Sequence, residues 1–88
     1  MKADHSAITR LLKTARGQLD GIVRMVEEDK YCLDISHQLM ACEAVLKKAN
    51  REILRAHMKS CVRQSLESGS REEADEKIRE VIELLEKM

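Results

Sequence analysis

The 88 residues carry 16 Lys and Arg against 16 Asp and Glu, no proline and a single aromatic residue, Tyr31. No apolar run approaches the about 20 residues of a membrane span, no signal-type apolar segment follows the first residues, and three cysteines is an odd number for a disulfide framework. A membrane protein and a stapled secreted domain are thereby set aside, leaving a cytoplasmic, all-α chain with reduced thiols, read as one domain over residues 1–88. So short a chain buries a modest fraction of its surface, and self-association is an expected source of core.

Apolar residues Ile8, Leu12, Ala15, Leu19, Ile22 and Val26 recur at alternating spacings of four and three, which predicts a first helix over residues 5–28. Gly17 and Gly21 lie inside it, where each costs about 0.5–1 kcal/mol relative to Ala, so close approach of another backbone is expected as compensation. The run Glu27-Glu28-Asp29-Lys30 ends the helix. A second seam, Ile35, Leu39, Cys42, Leu46, Ala49, Ile53 and Ala56, keeps the same alternation and predicts a helix over residues 32–66. A helix of that length is far above the usual 11–12 or so residues and requires a partner along it. Ser68-Gly69-Ser70 is the stop, and Ser70 with Glu73 reads as a capping box for a third helix with Ile78, Val81, Ile82 and Leu85 on its apolar face.

Three soft donors stand on the second helix: Cys32, His57 and Cys61. Two thiolates and an imidazole suit Cu(I) or zinc better than magnesium or calcium, and His57 and Cys61, four apart, project from one face. At a rise of about 1.5 Å per residue, Cys32 and Cys61 are roughly 43 Å apart along a continuous helix and cannot share an ion within one chain. Their midpoint falls at Leu46-Lys47, so an antiparallel second copy would set Cys32 beside the partner's His57 and Cys61. Cys42 occupies a seam position and reads as a small buried hydrophobe. His37 reads as solvated or interfacial, and His5 is a poorly supported ligand.

No phosphate loop, nucleophile elbow or paired carboxylate is visible, so neither an enzyme nor a small-molecule substrate is expected. The zero net charge hides a division: residues 1–63 hold 12 basic and 8 acidic side chains, and residues 64–88 hold 4 and 8. Arg10, Lys13 and Arg16 on the first helix, with Lys48 and Arg51 on the second, are candidates for a phosphate-binding face, together with the neighbouring Lys47, Arg55 and Lys59.

The segment Arg16-Gly17-Gln18-Leu19-Asp20-Gly21-Ile22-Val23-Arg24-Met25, then Tyr31-Cys32, Ala49-Asn50-Arg51 and His57-x3-Cys61, resembles the copper-sensitive operon repressor family of bacteria across nearly the whole chain. The resemblance implies three helices per protomer, an antiparallel four-helix-bundle dimer and a dimer of dimers that binds operator DNA. It implies one Cu(I) per protomer, held by Cys32 of one protomer and the partner's His57 and Cys61, with release of DNA on copper binding. Persulfide-sensing relatives keep both cysteines and lack the histidine, which makes His57 the discriminating residue. Tyr31 matches a tyrosine beside the metal in copper sensors. The glutamate that joins it on the third helix corresponds to Glu76 or Glu80, with Lys77 near the expected position. Where the family commonly has a DNA-facing arginine, this chain has Leu11, and Arg10 stands one place earlier. Two other readings of the same residues are a persulfide or thiol redox sensor using Cys32 and Cys61, and a helical metal buffer or scaffold without DNA binding.

Overall fold

A computed structural model describes all 88 residues and consists of three α-helices: α1 (His5–Glu27), α2 (Cys32–Ser68) and α3 (Arg71–Lys87). Asp4 caps α1, its carboxylate accepting from the backbone N–H of Ser6 at 2.9 Å and of Ala7 at 3.4 Å. The helix ends where Lys30 N–H donates to the Met25 carbonyl and Asp29 N–H to that of Val26, the paired bonds of a Schellman motif. Asp29 supplies the left-handed residue of that motif, with φ of 55°, where glycine is usual. At the far end of α2, Gly69 takes the equivalent role with φ of 71°, and its N–H donates to the Ser65 carbonyl at 2.9 Å. The capping box of α3 is half formed. Ser70 Oγ accepts from Glu73 N–H, but Ser70 N–H goes to Ser68 Oγ at 3.3 Å, which frees the Glu73 carboxylate from the cap.

Packing divides the chain into two compact units, Asp4–Asn50 and a second made of Met1–Ala3 with Arg51–Met88. In the first, Ala15, Ile22 and Cys42 form a buried cluster, flanked by Ile35 and Val45. Cys42 is core, as its seam position predicts, and its thiol points at the Ala15 carbonyl 3.7 Å away. Only alternate members of the two seams are buried. Ile8, Ala15 and Ile22 on α1 and Cys42 and Ala49 on α2 are inside, whereas Leu12, Leu19, Val26, Leu39 and Leu46 are 43–60% exposed. One protomer therefore uses half of its heptad pattern and leaves the other half as an apolar stripe. Gly17 departs from expectation: a Cβ there would meet nothing within 4 Å, and at Gly21 it would meet only the Arg24 side chain at 3.9 Å. The protomer itself brings no backbone against either glycine.

In the second unit the buried set moves off the expected seam. Leu54 and Cys61 are buried, together with Val81 of α3 and Ala3, while Ile53 and Ala56 are half-buried. Leu54 and Val81 face a common groove, so here α2 turns a different stripe inward to meet α3. On α3, Val81 is buried and Ile78 half-buried, but Ile82 and Leu85 stay exposed.

Candidate metal centre and nucleic-acid interface

The successive turns of α2 that carry His57 and Cys61 bring Nε2 of the histidine to 3.5 Å from the cysteine sulfur. Cys61 is buried and His57 exposed. Beside the sulfur is a cavity of about 90 Å³, lined by Cys61, Gln64, Ser65 and Ser68 of α2 and by Glu73 and Lys77 of α3. Ser65 is fixed there by its hydroxyl, which donates to the Cys61 carbonyl at 2.9 Å. Glu73, expected only as a cap, thus lines the same cavity as Cys61. Its place depends on how Ser68 and Ser70 share the cap, which spacing alone does not reveal. Glu76 and Glu80 are exposed on α3 outside the lining of this cavity.

Cys32 is the first residue of α2 and is exposed, as is Tyr31, whose carbonyl accepts the Asp34 and Ile35 N–H groups of the first turn. All three cysteines are free thiols. No group of three or more His, Cys, Asp or Glu side chains within the protomer could hold a metal ion, so the structure brings His57 to Cys61 but does not add Cys32 to them. The donors present nonetheless fit a soft ion, since thiol and imidazole are the ligand types such ions select.

Arg10, Lys13 and Arg16 are exposed along α1, and Arg10 and Lys13 line one shallow groove with His5, Ser6, Thr9 and Thr14. Lys48 and Arg51, one turn apart on α2, are exposed as well. The two salt bridges of the chain, Lys30 with Glu28 and Arg55 with Glu52, involve none of these five cations. Arg55, by contrast, pairs with the Glu52 carboxylate on the helix surface.

Residues 4–87 match the model of the metal-sensitive transcriptional repressor family. The chain belongs to that family. Its members are repressors rather than enzymes. The copper-sensing transcriptional repressor CsoR of Mycobacterium ulcerans (strain Agy99) is 52% identical to this family member over 56 residues, covering 64% of this chain and 47% of that protein. The chain thus spans about half the length of that relative. The crystal structure of the copper-sensing repressor CsoR with Cu(I) from Geobacillus thermodenitrificans NG80-2 superposes with a TM-score of 0.78 at 29% identity, covering 93% of this chain and 82% of that one. The nickel-responsive transcriptional regulator InrS superposes with a TM-score of 0.81 over 99% of this chain and 94% of its own, at 23% identity, a likeness of fold alone. No helix of this repressor-family chain is long and apolar enough to cross a membrane.

Proposed function

We propose that this chain is a Cu(I)-responsive repressor that releases operator DNA when copper binds, derepressing copper efflux or homeostasis genes. The observation that carries the reading is the His57–Cys61 pair, an imidazole nitrogen and a sulfur 3.5 Å apart on one helix face, in a chain of the metal-sensitive repressor family. Copper(I), when bound, supplies a soft cationic centre that two thiolates and one imidazole satisfy. Cys32 would come from one protomer and the pair from its partner, one site per protomer. The exposed stripe of Leu12, Leu19, Leu39 and Leu46 gives the protomer an apolar surface with which to associate, as a dimer and then a dimer of dimers.

Tyr31 and a carboxylate of α3, Glu76 or Glu80, are proposed as the groups that join the site to the third helix. Glu73 and Lys77 line the cavity against Cys61, so a change in the position of that side chain is felt by α3 directly. Arg10, Lys13, Arg16, Lys48 and Arg51 contact operator phosphates in the metal-free state. Release requires unequal affinity of copper for two states of the assembly, typically about 1–3 kcal/mol of coupling free energy.

A persulfide sensor would need only the two cysteines, and the imidazole held at the Cys61 thiol favours the metal instead. The test is an anaerobic titration of the reduced protein with Cu(I) against a competing chelator, run beside retardation of its own promoter DNA. One tight Cu(I) per protomer with concurrent loss of DNA binding supports the reading; weak, non-stoichiometric copper with DNA retained overturns it.

A further inference from the structure

A second basic surface lies on α2 away from the histidine and cysteine. Lys2, Ala56, Lys59, Ser60 and Arg63 line a groove of about 520 Å³ within the Arg51–Met88 unit, to which the first three residues belong. Ala3 is buried, and Lys2 beside it joins the side chains of Lys59 and Arg63. The grouping is therefore made by tertiary packing. Lys59 and Arg63 are one turn apart, where like charges repel, and Lys2 adds a third cation to the same groove. The salt bridges of the chain leave all three without a carboxylate, and Glu67, one turn beyond Arg63, is not bonded to it. Three exposed cations that packing assembles without a counter-charge are suited to an external anion.

We infer that Lys2, Lys59, Ser60 and Arg63 form a phosphate-binding groove that seats the backbone of DNA, in addition to the five cations assigned above. This rests on the repressor reading. Lys59 and Arg63 are separated by about 6 Å along the helix axis, a span of about two phosphates of one strand. A nucleic-acid backbone satisfies them while they stay hydrated, because the favourable term is counterion release. Seating the acidic α3 of a second copy would instead require desolvating the three cations in a protein interface, whose core is depleted of charge. At about 100° per residue the groove residues of α2 centre about 130° around the helix from His57 and Cys61, so the groove and the pair share two turns without sharing a face.

The experiment measures affinity for its own promoter fragment and for a random-sequence duplex over a series of KCl concentrations, for the wild type, Lys2→Ala, Lys59→Gln and the double variant Lys59→Ala/Arg63→Ala. Each lost phosphate contact lowers the slope of log affinity against log salt by about 1, so the single variants lose about 1 and the double about 2, with both duplexes weakened alike. Copper stoichiometry in the same variants stays at the wild-type value. Unchanged slopes in variants of a wild type that does bind the promoter overturn the groove and leave the repressor reading intact. Unchanged slopes with a lower sedimentation mass assign the groove to a second copy of the chain. A wild type that retards neither duplex sinks the repressor reading, and DNA as the occupant with it.

Discussion

Nε2 of His57 lies 3.5 Å from Sγ of Cys61, across one turn of α2. The contact is local to the helix, so it exists in each protomer before any partner or metal arrives. Both side chains are therefore positioned at little further conformational cost, and in the proposed copper site the ligand that remains to be supplied is Cys32.

If Cys32 is supplied in trans, two defective variants can repair each other. Cys32→Ala and Cys61→Ala each fail to bind tight Cu(I) alone. Unfolded, mixed and refolded together, they regain about a quarter of the wild-type sites, because half of the dimers are mixed and each of those has one complete site. A competition titration reads the recovery, and none at all would mean that ligands are not shared.

His57→Ala keeps both thiols. Its Cu(I) affinity falls at least about 10-fold, since loss of even an outer partner of a metal ligand commonly costs that much. Its DNA release is impaired at copper levels that saturate the variant. Normal release by saturated His57→Ala would show that the imidazole has no part in the coupling.

Replacing an exposed seam residue separates association from folding. Leu19→Glu puts a charge on the apolar stripe while Ala15 and Ile22 keep their burial, so helix content persists and the sedimentation mass drops towards the monomer. Ala15→Glu, by contrast, buries an unpaired charge and unfolds the protomer.

Cys42 is packing, not ligation. Cys42→Ala leaves copper stoichiometry unchanged and lowers stability by about 1 kcal/mol through lost contacts, measurable by urea unfolding.

The two left-handed residues behave oppositely. Asp29→Gly removes the cost of holding a side chain at φ of 55° and raises stability by up to about 1 kcal/mol, whereas Gly69→Val lowers it by about 1–2 kcal/mol. Thermal unfolding of the two variants checks both signs.

By itself the sequence determined the number of helices, the bounds of the first two to within two residues, the start of the third after Ser70, and the His57–Cys61 pair. Each of these follows from short-range periodicity: apolar spacing of four and three, a stop at Ser68-Gly69-Ser70, and two donors on one helix face. Cys42 was legible in part: its seam position marked it as an apolar site, and packing against Ala15 and Ile22 decided that it is buried within the protomer while Leu39 and Leu46 are not.

Tertiary structure decided which half of each seam the protomer buries for itself, since a heptad pattern marks both the intramolecular and the intermolecular face in the same residues. It moved burial from Ile53 and Ala56 to Leu54 and Cys61, where contact with α3 overrides the seam. It brought Glu73 and Lys77 to a cavity shared with Cys61, and it carried Lys2 across more than half of the sequence to Lys59 and Arg63. These meetings depend on how one element turns against another, a rotation set by summed side-chain packing over the whole contact rather than by any spacing within a helix.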